Sequence, residues 1–136
     1  MLDRFIDSGQ GLLLGTSSFW EGVDVPGDPL RGLVIQKLPF RVPTEPITAA
    51  RMEALERQGH DPFASFMLPH AALRLKQGFG RLIRARTDRG AVVILDDRIV
   101  RKRYGRYLRD SLPPAPFVRG PWPDLERRLR AFYGVP

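Results

Sequence analysis

At 136 residues the chain has the length of a single compact domain, and no apolar run reaches membrane-spanning length. It has no cysteine, which excludes disulfides and thiolate metal ligands. The opening MLDRFIDSGQ lacks the basic start and long apolar stretch of a signal peptide, so a cytoplasmic location is expected. The net charge of +7 hides an asymmetry: residues 1–68 carry 6 Lys/Arg against 9 Asp/Glu, and residues 69–136 carry 16 against 6.

The basic residues are 19 arginines and 3 lysines. A guanidinium offers phosphate a planar fork where an ammonium offers a point charge, so concentrated arginine favours a phosphate or nucleic-acid partner. A coding bias towards Arg is the alternative explanation.

In chain order, three short apolar runs read as buried strands: Gly11–Thr16, Gly32–Leu38 and Ala91–Leu95. Thr44 is placed to cap a helix from about Pro46 to Gln58, stopped by Gly59. Asp61 and Pro62 start a short helix, and Pro69 restarts the chain as a longer one to about Arg86. A basic helix is expected over Ile99–Asp110. Beyond the Pro-rich link LPPAPFVRGPWP, which Phe117 and Trp122 mark as an ordered connection, a last helix covers Asp124–Tyr133. Strands divided by helices predict an α/β fold with a mostly parallel sheet flanked by helices.

On the long helix, Ala72, Leu75, Phe79, Leu82 and Ile83 fall on one stripe at helical spacing, with Arg74, Gln77, Arg81 and Arg84 nearly opposite. Gly78 and Gly80 inside it each cost about 0.5–1 kcal/mol relative to Ala, which suggests close approach of a backbone or ligand. A solvated arginine face is the plainer reading. After the first expected strand comes Thr16-Ser-Ser-Phe-Trp-Glu-Gly-Val-Asp24, at the end of a strand where open α/β sheets place ligands. Its hydroxyls suit phosphate oxygens, Gly22 admits close approach and Asp24 suits a ribose hydroxyl; an ordinary polar turn is the alternative.

Together these segments resemble the second lobe of superfamily 2 helicases. Thr16–Asp24 resembles motif V, and Gln77–Arg84 resembles motif VI, Q-x-x-G-R-x-x-R. Lys37-Leu-Pro-Phe-Arg-Val-Pro-Thr-Glu-Pro46 is similar to the K-L-P-F-x-x-P-x-x-P segment of the DinG and XPD branch, as are Asp96-Asp-Arg98, Tyr104-Gly105 and Ser111-Leu-Pro113.

The resemblance implies a RecA-like fold (P-loop NTPase type), with a core over about residues 10–113 and the link and helix over 114–136. It implies catalytic arginine fingers at Arg81 and Arg84, and nucleotide contacts at Gln77, Glu21, Gly22 and Asp24. It also implies a single-stranded DNA track, for which Thr16 and Ser17 are candidates; Arg98, Lys102 and Arg106 are added from the basic helix, where with Arg109 they line one side and a solvated face is the alternative. An arginine crossing a cleft stabilises charge on a transferring phosphoryl group.

No Gly-Lys-Ser or Gly-Lys-Thr occurs, so ATP and Mg2+ are expected to be held mainly by an N-terminal lobe that this chain lacks. Ala91–Asp97 imitates a Walker B strand, but downstream of motif VI it reads better as the strand leading to D-x-R. The start of the second lobe, where motif IV would lie, is also not found, so an incomplete lobe is expected, inactive alone. His60 and His70 have no companion spacing for a metal, and no metal ligand is assigned. The rival reading is a non-catalytic module that binds nucleic acid through its basic half.

Overall fold

The computed structural model describes residues 2–16, 30–83 and 89–136. Helix α1 (Leu2–Ser8) opens the chain and stops at Gly9, whose φ of +63° suits glycine. Gly11–Thr16 follows as irregular chain, with Leu12 and Leu14 about four-fifths exposed (83% and 80%). The expected first strand is therefore not formed: an apolar run becomes a strand when a neighbouring strand takes up its backbone groups, and among the described residues no strand pairs with this one.

Strands β1 (Gly32–Ile35) and β2 (Ala91–Ile94) pair in parallel, Gly32 opposite Ala91 and Ile35 opposite Ile94. The described sheet thus has two strands. Leu33, Ile35, Val92 and Ile94 face the helical layer, while Val34 on the other face is 62% exposed. Parallel sheets are ordinarily covered on both faces; the described residues cover this one on the side of the helix Leu68–Leu82.

Helix α2 (Pro46–Arg57) is where the sequence predicts it, and Gly59 at φ +78° ends the segment. Its N-cap is Glu45, not Thr44, because Pro46 takes the first helical position and the cap must stand immediately before it. Thr48 inside the helix bonds Glu45 instead (Oγ1 to Oε2, 3.3 Å).

The Asp61 carboxylate accepts the Phe63 N–H at 2.9 Å and starts a π-helical turn (Phe63–Met67). The Leu68 N–H reaches back five residues to the Phe63 carbonyl. The next residue, Pro69, has no N–H for an α-register bond, and the wider turn absorbs that loss. The chain continues unbroken into α3 (Leu68–Leu82).

Ala71, Ala72, Leu75 and Leu82 are buried along α3, and Phe79 packs beside them. Ile83 does not extend this stripe: its backbone is extended and its side chain 42% exposed, so the helix ends short of Arg86. Gly90 passes so close to Leu82 that a Cβ there would meet its side chain at 2.6 Å, which fixes the return into β2. Gly78 is buried, whereas Gly80 faces open space, so close backbone approach accounts for neither the cost nor the presence of Gly80.

The expected single basic helix is two: α4 (Arg98–Arg101) and α5 (Tyr104–Asp110), parted by an extended Lys102. Gly105 makes the fold-back possible, since a Cβ there would lie 2.6 Å from the Ile99 carbonyl carbon and nearer still to its oxygen. Arg109 Nη1 donates to that same carbonyl oxygen. Ile99 and Leu108 join Ile35, Leu38, Ala71, Ala72 and Leu75 in the core. Helix α6 (Trp122–Tyr133) ends at Gly134 in the left-handed region.

Candidate functional site

The loop after β1 is held at three points beyond the C-terminal ends of the strands. The Leu38 N–H donates to Asp96 Oδ2 at 2.9 Å, joining the exits of β1 and β2. Phe40 packs with Phe63 (5.7 Å between centroids) and, edge-on, with Tyr104 (5.6 Å). Arg41 Nε donates to His70 Nε2 at 2.9 Å, tying the loop to α3 and giving His70 a structural partner. K-L-P-F, D-x-R and Y-G, far apart in sequence, thus converge on one node.

Asp96 and Arg98 anchor it. The Arg98 guanidinium grips the carboxylate through Nε (2.9 Å to Oδ1) and Nη2 (2.6 Å to Oδ2), and lies over the Phe40 ring at 5.6 Å. The Asp96 side chain is only 7% exposed. The Arg98 hydrogen bonds hold its carboxyl at about 2, below the usual 3.8; burial opposes this, and the N–H groups of Leu38 and Arg98 assist. The same pairing raises the Arg98 pKa further.

Gln77 and Arg81 stand one turn apart on the α3 face turned from the core, Gln77 exposed and Arg81 half-buried. Lys102 is exposed between α4 and α5, and Arg106 is exposed on α5, paired with Asp110 at 3.4 Å. Arg98 and Arg109 do not form one basic row with them, because both turn inward, to Asp96 and to the Ile99 carbonyl. Thr16 is exposed at the end of the irregular stretch. Ser17, Glu21, Gly22, Asp24 and Arg84 lie outside the described residues.

In the basic half, Asp96, Asp97, Asp110, Asp124 and Glu126 each pair with an arginine two to four residues away. Lys102, Arg103, Arg119 and Arg128 are among the basic residues with no such partner among the described residues, and they add to the local excess of charge. Also among the described residues, no group of three His, Cys, Asp or Glu side chains is arranged to hold a metal ion, and no helix is long and apolar enough to cross a membrane.

A second cluster, not read from the sequence, lies where the strands begin. The Tyr133 hydroxyl accepts the Ala91 N–H at 3.0 Å and donates to the Arg31 carbonyl at 2.5 Å, so α6 is stitched to the start of the sheet. The signal was present in the Arg-Gly pair at the entry to each strand, Arg31-Gly32 and Arg89-Gly90.

Residues 1–115 match the model of the helicase C-terminal domain. The chain belongs to this family, of the DinG and YoaA type. It is 49% identical to the ATP-dependent DNA helicase YoaA of Escherichia coli over all 136 residues, which are 21% of that protein. It is 52% identical to the ATP-dependent DNA helicase DinG of Photobacterium profundum over 103 residues, 76% of this chain and 15% of that one. The 3'-5' exonuclease DinG of Bacillus subtilis is 47% identical over 113 residues, 83% of this chain and 12% of that one. The chain thus spans about a fifth or less of these relatives. The family match ends before α6.

Proposed function

We propose that this helicase C-terminal domain is the second, RecA-like lobe of an ATP-dependent DNA motor in the cytoplasm, with its core over about residues 10–113. Its part is to complete a nucleotide site whose P-loop belongs to another lobe. The observation that carries the reading is the family match together with the amphipathic form of α3. Apolar residues fix one face of that helix on the sheet, and Gln77 and Arg81 stand on the other.

ATP with Mg2+ supplies the phosphoryl chemistry when bound. Arg81 and Arg84 donate to the outer phosphate oxygens from across the cleft, offsetting the charge that grows there as the bond to the leaving phosphate lengthens. Gln77 hydrogen-bonds on the same side, and Glu21, Gly22 and Asp24 contact the nucleotide. Thr16, Ser17, Lys102 and Arg106 face the backbone of single-stranded DNA, Arg98 from within its pair with Asp96. The Asp96–Arg98 node keeps the post-β1 loop and α4 in fixed relation, so that movement at the nucleotide is passed on as movement of the DNA surface.

The test is reconstitution: the chain replaces the segment it matches in the E. coli relative, and DNA-stimulated ATP hydrolysis is measured. Hydrolysis by the chimera and none by the isolated chain supports a motor lobe. DNA binding by the isolated chain, with no hydrolysis in the chimera, favours the rival reading of a non-catalytic binding module.

A further inference from the structure

Strands β1 and β2 are each entered through an Arg-Gly pair. With Gly32 opposite Ala91 in a parallel ladder, and the Ala91 N–H also donating to the Arg31 carbonyl at 3.2 Å, Arg31 and Arg89 reach the same N-terminal edge of the sheet. The end of α6 closes over this edge. Between them lies a pocket of about 370 Å3 lined by Arg31, Arg89, Ala131, Phe132, Tyr133 and Gly134.

The Arg31 guanidinium lies over the Tyr133 ring at 5.6 Å and that of Arg89 over the Phe132 ring at 5.2 Å. The two rings meet edge to face at 4.9 Å, so the arginines that line the one pocket rest on perpendicular supports. Stacking on a ring engages the flat face of a guanidinium and leaves its N–H edge to donate. Among the described residues no acidic side chain lines the pocket and neither arginine has a carboxylate partner, although five other arginines in the chain's basic half do. The negative end of α6 opposes an anion with about half a charge. Near that end the Ala131 and Arg130 carbonyls are already taken by the N–H groups of Gly134 and Val135, and two guanidinium charges outweigh what remains.

We propose that this pocket is a phosphate site, in which Arg31 and Arg89 grip one phosphate-type oxyanion from two sides. It uses none of the residues given roles above and does not rest on that reading. The chemistry admits two sources, the backbone of a nucleic-acid strand or the phosphates of a free nucleotide.

The experiment follows the arginine Nε–H signals of the intact chain by 1H–15N NMR while inorganic phosphate is added at constant ionic strength, chloride being replaced. Arg31 and Arg89 are expected to shift saturably and Arg128, an exposed arginine of α6, to stay still. Arg31→Gln and Arg89→Gln should each weaken binding on the order of tenfold, as for loss of one charge-assisted hydrogen-bonding group. Thermal melts check folding; if either variant unfolds, Arg31→Lys and Arg89→Lys keep the charge, lose the fork and should still weaken binding. Twelve-residue oligothymidylate and ADP are then compared: whichever shifts the same signals at lower phosphate concentration identifies the source. No saturable shift with any of the three probes overturns the proposal, as does phosphate binding unchanged in all four variants.

Discussion

The backbone N–H of Leu38 donates to the carboxylate of Asp96 across 58 positions of sequence, at 2.9 Å. Through that bond the loops leaving β1 and β2 share one buried anion, and Arg98 neutralises it from the side. Asp96→Asn keeps the volume but removes the charge and one acceptor, leaving Arg98 without its carboxylate. The expected loss is about 2 kcal/mol, in the range for hydrogen bonds to a charged group. Asp97→Asn, whose carboxylate is 61% exposed and pairs with Arg101, should change stability by less than about 0.5 kcal/mol. Chemical denaturation of both variants checks the contrast.

The same group sets an acid dependence. Asp96 titrates at about 2 in the folded chain against 3.8 ordinarily, so in this range the unfolded chain binds the extra proton. The stability it contributes is fully present above about pH 4 and is lost as pH falls towards 2, an amount of about 2 kcal/mol. Denaturation midpoints measured between pH 5 and 2 should fall less steeply in Asp96→Asn than in the parent.

Gly105→Ala should destabilise by about 1–3 kcal/mol, the range for forcing an extra methyl into a packed site. The added Cβ meets the carbonyl carbon of Ile99 at 2.6 Å, and that is backbone, which cannot swing away. Gly80→Ala in α3 meets nothing within 4 Å, and should be neutral or stabilising. Melting temperatures of the pair test whether α5 is folded back on α4.

Removal of one hydroxyl in Tyr133→Phe withdraws an acceptor from Ala91 and a donor from Arg31 while keeping the ring. The expected cost is about 1 kcal/mol. Faster amide exchange should appear at Ala91, at the start of β2, and not at Gly105. Uniform exchange changes would mean that α6 is not fastened to the sheet edge.

Helix α2, the apolar stripe of α3 and the two paired strands were legible in the sequence, because helical and strand periods, Gly59 and the prolines act locally. The motif residues that carry the family resemblance were legible as well. Other features were not, and three show why. Gly11–Thr16 has a strand's composition, but pairing depends on a partner edge that composition does not report. The basic segment from Arg98 to Asp110 has helical spacing throughout, yet the contact of Gly105 with Ile99 bends it, and a contact between two turns is a tertiary event. The inward turn of Arg98 and Arg109 is the third: spacing alone shows a row of cations and cannot show that Asp96 and a backbone carbonyl claim two of them.

Binding of the isolated chain to single-stranded DNA should be weak and centred on residues 69–136. Affinity should fall by orders of magnitude between roughly 50 and 200 mM salt if several phosphates are contacted. Lys102, Arg103, Arg119 and Arg128, which have no ion-pair partner among the described residues, should contribute more to the salt slope than Arg101 or Arg127, which have acidic neighbours. Fluorescence anisotropy over a salt series checks this. Calorimetry should detect no micromolar ATP affinity in the chain alone.

The central claim, that Arg81 and Arg84 act on the phosphoryl group, is tested most directly by DNA-stimulated ATP turnover in the chimera. Arg84→Ala should leave the melting temperature of the chimera unchanged and lower turnover on the order of 10³-fold or more, as loss of an arginine finger does in other phosphoryl-transfer enzymes. Arg84→Lys should restore little, since an ammonium lacks the fork. Parental turnover in a normally folded Arg84→Ala chimera would contradict the account.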